Sequence, residues 1–329
     1  MQLLKDVNVL VIGGGTGQSI FLRGLKNFSD DITAVVAVTD DGGGSGKLRR
    51  DMHMLPPGDI RNCIIALADI EPEMEKVMQY RFKEGDLKGQ SFGNLFIAAM
   101  NDVYGSFEKA VSQISQILAV KGRVLPVSCS HIDICAVLQN GDRICGESAI
   151  PVESIKRGSP IERIDLEPPG APPLEEVLKA IEKADIIVIG PGSLYTSIIP
   201  NILIQGVKEA IESSDARKVY VCNIMTQPGE TDGFDVIEHV AALEKHSGKR
   251  IFDYVIVNDG QIPQNILKEY GNDGAIQVKI DIKQIAELKR KGIGVILDDF
   301  VEIKNGYIRH DAYKLAEKIT GLADYPRKA

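Results

Sequence analysis

The chain holds 329 residues, 44% of them hydrophobic, with a formal charge of −8, enough to bury a large core without help from disulfides or metal. An acidic chain of this kind lacks the clustered Lys and Arg of a general nucleic-acid surface, so no nucleic-acid partner is expected and any bound anion must be held locally. No apolar run approaches the roughly 20 residues that span a bilayer, and Lys5 and Asp6 interrupt the stretch a signal peptide would keep apolar, so the expectation is a cytoplasmic protein with no membrane insertion.

The first predicted strand, Val7 to Ile12, runs into Gly13-Gly14-Gly15-Thr16-Gly17-Gln18-Ser19 and then an apolar helix from Ile20. Glycines let backbone N–H groups approach an anion, and a helix start carries about half a positive charge. Gly13, Gly14, Gly15, Thr16 and Gly17 are therefore a candidate phosphate cradle, with the Thr16 and Ser19 hydroxyls as donors. Gln18 stands where G-x-G-x-x-G requires glycine, and no lysine follows as in a P-loop, so the loop has neither standard form.

The second strand, Ile32 to Val38, leads into a glycine-rich loop, Thr39-Asp40-Asp41-Gly42-Gly43-Gly44-Ser45-Gly46-Lys47-Leu48-Arg49-Arg50. Asp40 and Asp41 are candidate Mg²⁺ ligands, with Lys47, Arg49 or Arg50 neutralising phosphate oxygens; Asp40 could equally hold ribose hydroxyls. In Pro56-Pro57-Gly58-Asp59-Ile60-Arg61-Asn62, Asp59 is the expected N-cap of a helix through Ala68, and Asn62 is a candidate pocket residue. Ser91-Phe92-Gly93-Asn94 opens a further helix.

From about residue 121 to 169 the pattern changes. Ile134 to Leu138 and Arg143 to Ser148 flank Gln139-Asn140-Gly141-Asp142, a hairpin signal, so a small antiparallel element is expected there. The stretch from Glu167 to Pro173 reads as a surface loop before a helix from Leu174. Cys63, Cys129, Cys135, Cys145 and Cys222 form no C-x-x-C pair, which predicts reduced, mostly buried thiols and no structural zinc.

Strands then recur at Ile186 to Ile189, Val219 to Asn223, Tyr254 to Val257 and Val295 to Asp298, with helical patterns at Leu174 to Lys183, Ile202 to Glu212, Phe234 to His246 and Ile282 to Lys291. Unbroken Val and Ile runs belong to strands covered on both faces. The predicted class is α/β: one domain over 1–329, a doubly wound, mostly parallel Rossmann-like sheet with helices on both faces and the small hairpin element. Gly190-Pro191-Gly192-Ser193-Leu194-Tyr195-Thr196-Ser197 follows one buried strand, making Gly192, Ser193, Tyr195 and Thr196 candidate sugar or anion contacts. Asn223 and Gln227 follow the next, and neutral hydrogen-bonding groups of this kind suit sugar or base. Arg309, beside His310, is a candidate phosphate clamp if the fold returns it to the sheet edge. The basic end, Arg327-Lys328, is expected to be disordered.

These loops, in this order and over nearly the whole chain, resemble the YvcK-like gluconeogenesis factor family, a branch of the superfamily that contains the 2-phospho-L-lactate transferase CofD. The resemblance rests on the Gly13 to Gly17 loop, Asp40-Asp41-Gly42-Gly43 through Arg49, Pro57 to Asn62, Gly190 to Ser197, Cys222-Asn223 with Met225-Thr226-Gln227, and Arg309-His310. It implies a cytoplasmic regulator, required for normal cell shape under gluconeogenic growth, that binds UDP-sugars, notably UDP-N-acetylglucosamine. The family's nucleotide-sugar threonine, asparagine and arginine match Thr16, Asn223 and Arg309. No tightly bound cofactor is implied beyond the UDP-sugar ligand, with Mg²⁺ a candidate companion. Partners implied are cell-wall synthesis or regulatory proteins, and a homo-oligomer is compatible with the sequence. The alternative is an Mg²⁺-dependent transferase with Asp40 or Asp41 as metal ligand. Past Asp41 the chain follows the gluconeogenesis-factor pattern, with Gly44 where that pattern usually shows serine.

Overall fold

The structure, a computed structural model, describes residues 7–70 and 72–324; Arg327 and Lys328 lie outside them. The chain runs β1 (Val9–Gly13), α1 (Gly15–Leu25), β2 (Ile32–Val36), α2 (Gly43–Asp51), α3 (Gly58–Leu67), α4 (Pro72–Gln79), α5 (Phe92–Tyr104), α6 (Phe107–Ile117) and β3 (Arg123–Pro126). Next come β4 (Asp133–Leu138), β5 (Arg143–Cys145), α7 (Ala149–Arg157) and β6 (Ile161–Glu167). The remainder is α8 (Glu175–Lys183), β7 (Ile186–Ile189), a π turn (Leu194–Ile198), α9 (Ile199–Leu203), α10 (Val207–Ser213), β8 (Arg217–Val221), α11 (Val236–Ser247), β9 (Tyr254–Asn258), α12 (Gln264–Asn272), α13 (Ile282–Arg290), β10 (Gly294–Asp298), β11 (Val301–Lys304), β12 (Tyr307–His310) and α14 (Ala312–Thr320).

Val9, Leu10, Val11 and Ile12 are all 0% exposed, and burying each such side chain contributes about 1.5–3 kcal/mol. That is why the apolar runs build a central sheet: seven parallel strands in the order β10-β9-β8-β7-β1-β2-β3, with Val9 beside Ile32 on one side and Ile186 on the other. The predicted α/β, doubly wound class is what the chain adopts. Capping boxes start two of the helices, Asp235 with Glu238 at α11 and Asp281 with Gln284 at α13, each cap typically contributing about 1 kcal/mol.

Four local expectations need correction. Residues 43–51 are helix rather than loop, and Gly46 is required because a Cβ there would lie 1.8 Å from the Asp41 carbonyl oxygen. In the 121–169 region, β3 joins the main sheet beside β2, and the antiparallel element has three strands, β5-β4-β6, because 161–167 pairs along β4. The Ile202 to Glu212 helix is broken at 204–206, where Gly206 takes φ +80. Cys135 and Cys145 are joined by a disulfide rather than held as thiols. The hairpin register sets them directly opposite, at a non-hydrogen-bonded position between the Gly146 to Ile134 and Leu138 to Asp142 bonds, where side chains come closest.

Most buried apolar residues form one core, but Ile224, Met225, Ile262 and Ala275 form a second cluster, flanked by Leu267 and Tyr270 of α12 and by Val301 and Ile308 of the β11–β12 hairpin. The hairpin is tied back through α14, which lies against α1. A Cβ on Gly24 would meet the Ala312 carbonyl oxygen at 2.2 Å. Gly24→Ala should therefore push α14 away and destabilise the fold by about 1–3 kcal/mol, despite the better helix propensity of alanine. Thermal unfolding should read this as a fall of several degrees in Tm.

Candidate functional site

Adjacent strands β1 and β7 lead out to opposite sides of the sheet, the point at which doubly wound folds bind ligands outside their strand ends. The loops after these two strands touch: Cβ atoms on Gly14 and Gly17 would lie 3.3 Å from Ser197 Cβ and 3.2 Å from the Pro191 carbonyl oxygen. Two buried amides hold this region, Asn201 tying the two loops together and Gln18 tying β1 to β2. Asn201 Nδ2 donates to the Gly13 and Ser197 carbonyls at 2.8 and 2.7 Å, and Gln18 Nε2 donates to the Val11 and Val35 carbonyls at 3.0 Å each.

Helix α1 follows Gly14 at its N-cap, which offers no side-chain cap, so its first N–H groups must find other partners. Gly15 takes φ +68, and its N–H donates to Asp59 Oδ2 at 2.5 Å. Asp59 therefore does not cap α3 as expected; it sits in that helix's first turn and reaches across to the glycine loop. Ser19 donates its hydroxyl to the Thr16 carbonyl instead of facing a ligand.

Beside these loops lies a cavity of about 490 Å³, within the usual size range of small-molecule sites. Of the residues expected from sequence, Gly14, Gly15, Thr16, Gly17, Gly192, Ser193, Asn223, Gln227 and Arg309 line it together. Asn223 Nδ2 donates to the Gly192 carbonyl, and Gln227 Nε2 to Ser193 Oγ at 2.7 Å. Their amide oxygens are the groups best placed to accept from a ligand. The Arg309 guanidinium lies 5.7 Å from the Tyr307 ring centre, and no carboxylate of the described residues pairs with it. His310 Nε2 lies 3.2 Å from the Cys222 carbonyl, and burial pushes its pKa down to about 4, so the ring is neutral at pH 7 and Arg309 supplies the cationic charge. Tyr270, which the sequence reading missed, also lines the cavity and accepts the Ile308 N–H through its hydroxyl.

Other expected residues, Asp40 and Asp41 among them, do not line this cavity. Gly13 ends β1, its carbonyl held by Ala37 N–H and Asn201. Lys47 is exposed on α2, and Arg49 pairs with Asp133 at 2.8 Å and donates to the Ile132 carbonyl. Asn62 accepts from Arg61. Tyr195 packs edge-on against Phe234 and His246, and Thr196 donates to buried Glu230. Asp40 belongs with Asp41 to the acidic cleft described below.

A family model described as "2-phospho-L-lactate transferase CofD" matches residues 9–301. The chain belongs to the CofD family. Within it, a relative from Thermoanaerobacterium thermosulfurigenes is 57% identical over 321 residues, 98% of each chain. The Bacillus subtilis protein named "Gluconeogenesis factor" is 45% identical over 315 residues, 95% of this chain and 97% of that one. The crystal structure of a UPF0052-family protein from Bacillus halodurans superimposes with a TM-score of 0.91 at 46% identity, covering 95% of this chain and 99% of that one. These relatives set the chain in the gluconeogenesis-factor branch, as the loop pattern implied.

This CofD-family chain also gathers carboxyls around the Asp59 side of its glycine loop. Asp40 Oδ1 accepts Gly42 N–H and Asp41 Oδ1 accepts Ser148 N–H, both at 2.9 Å. Burial and then the neighbouring Asp40 push Asp59 up to about 6, its bond from Gly15 N–H opposing them; burial followed by the charges of Asp40, Asp41, Glu230 and Asp59 pushes Glu147 up to about 8. Among the described residues no three His, Cys, Asp or Glu side chains come together as a metal shell. Asp40 and Asp41 thus suit Mg²⁺ only as one or two ligands, with phosphate oxygens and water completing its octahedron.

Glu230 carries a testable pH signature. It accepts from Tyr195 N–H, Thr196 Oγ1 and Gln227 Nε2, yet burial raises its pKa to about 7. The folded state therefore keeps a proton the unfolded chain has lost, and the associated stability, full below about pH 4.5, is lost as pH rises through 7. Glu230→Gln should remove that loss, so its stability relative to wild type should improve by about 2–4 kcal/mol between pH 4.5 and 8. Thermal melts of both proteins across this range check it; parallel curves would refute it.

Proposed function

We propose that the chain is a regulator that binds a nucleotide sugar, UDP-N-acetylglucosamine, and couples carbon supply to cell-wall precursor metabolism and cell shape. The observation carrying this reading is the composition of one cavity: helix-start N–H groups and Thr16 at the first loop, an arginine with no carboxylate partner among the described residues, and neutral amides and hydroxyls among them. A diphosphate suits the N–H groups and guanidinium, and sugar and base suit Asn223, Gln227 and Ser193. The ring faces of Tyr270 and Tyr307 offer stacking area. The relatives named gluconeogenesis factor support the link to carbon supply.

Calorimetric titration of UDP-N-acetylglucosamine, with GDP and NAD for comparison and with or without Mg²⁺, tests the reading. Saturable binding selective for the UDP-sugar, weakened about tenfold or more by Thr16→Ala, is the expected result; a charge-assisted or hydroxyl bond in such a site contributes about 1–3 kcal/mol. No UDP-sugar binding overturns it.

The family model and the Asp40 to Asp41 cleft favour a second reading, an Mg²⁺-dependent enzyme resembling the 2-phospho-L-lactate transferase. In that case the chain's residues would position and neutralise a transferred phosphoryl group, since such transfer needs no protein nucleophile. Metal-dependent GDP binding abolished by Asp40→Asn with Asp41→Asn would favour it. UDP-sugar binding that survives those substitutions without metal argues against it.

A further inference from the structure

The Cys135–Cys145 disulfide sits where it can control the acidic cleft. β5 has only three residues and lies at the edge of its sheet, its outer end held by the disulfide and by the Gly146 N–H bond to the Ile134 carbonyl. The segment leaving it is packed on Asp41: a Cβ on Gly146 would meet Asp41 Oδ2 at 2.7 Å, and Ser148 N–H donates to Asp41 Oδ1. Between them, Glu147 is half-buried among the acidic side chains of Asp40, Asp41, Asp59 and Glu230. Cys135 is buried and Cys145 exposed, so the bond has one accessible sulfur.

We propose that Cys135 and Cys145 form a reversible thiol–disulfide site: oxidation fixes the 146–148 segment against Asp41, and reduction frees it. An incoming small-molecule thiolate attacks Cys145 Sγ, the Cys135–Cys145 bond breaks, and Cys135 leaves as a thiolate that takes a proton from water. A second thiolate then attacks the small-molecule sulfur of the mixed disulfide, releasing the small-molecule disulfide and the Cys145 thiolate, which is protonated. Two electrons pass from two thiols to the protein disulfide; a low-molecular-weight disulfide drives the reverse. Of the free thiols, Cys63 and Cys222 are buried away from this exchange and Cys129 is exposed, its own alkylation reading separately from that of the pair.

The test is to equilibrate the full chain with reduced and oxidised glutathione at stepped ratios, quench in acid, alkylate, and assign each cysteine by peptide mass spectrometry, with hydrogen–deuterium exchange on parallel samples. Cys135 and Cys145 should lose alkylation together in one two-electron step, and amides in 146–154 should exchange at least about tenfold faster in the reduced state, as expected when a local contact is released. The Cys135→Ser, Cys145→Ser double variant should exchange like the reduced protein at every ratio. A pair that stays dithiol, or stays disulfide, at all ratios overturns the proposal, as does equal exchange in the two states.

Discussion

Arg309→Glu should lower UDP-sugar affinity by about a hundredfold or more while leaving Tm within about 2 °C of wild type. Losing charge-assisted hydrogen bonds costs about 1.5–3 kcal/mol, and placing a carboxylate near a diphosphate adds repulsion of similar order, at roughly 1.4 kcal/mol per tenfold in Kd. Among the described residues no other charged group lines the cavity, because His310 is held neutral by burial. Stability should change little because Arg309 pairs with no carboxylate of the described residues. Arg309→Lys keeps the charge without the planar fork and should fall between the two. Calorimetry with thermal melts on all three proteins decides it; a glutamate variant that binds like wild type removes Arg309 from the site and with it the strongest support for an anionic ligand.

Gln18→Gly is expected to have the largest effect on the fold. It would complete G-x-G-x-x-G over residues 13–18, yet should destabilise the chain by about 3–5 kcal/mol and confer no NAD binding. The side chain is 0% exposed, its amide bridges the carbonyls of β1 and β2, and its Oε1 faces the Cys63 thiol. Removing it leaves a cavity, strips those bonds and puts glycine inside a helix, costs of about 1 kcal/mol or more apiece. Denaturant unfolding measures the loss. A near-neutral result would mean that the two strands do not depend on this bridge.

Gln18 also shows how much the sequence could reveal. As a departure from a motif it identified what the first loop was not, but the pairing of its amide with two strand carbonyls depends on a register no local pattern encodes. Long apolar runs such as Val9 to Ile12 made the parallel sheet legible, because burial on both faces leaves no polar alternation. β3 was hidden because its four residues are short, end in Pro126 and vary in exposure. The glycine loops were legible as loops, and the cavity joins most of their residues. Arg49 was misjudged for a different reason: its partners, Ile132 and Asp133, lie over 80 residues away, so the basic run looked free when it was not. Asp59 and Tyr270 gave weaker signals still, one matching a capping residue by position and the other lying on α12, a helix with no buried residues.

The placement of β1 against β7 has a further consequence for synthesis. Asn8 N–H bonds to Asp185 across 177 residues, so the crevice between these strands cannot exist until more than half the chain has been made. Closing so long a loop is slow, and a nascent or truncated chain carries a finished glycine loop with no second wall. A ligand that binds only the completed crevice stabilises full-length molecules selectively, by about 2.7 kcal/mol at a hundredfold excess over Kd. Cellular abundance of the protein should then rise and fall with its ligand through protection from proteolysis, independently of transcription.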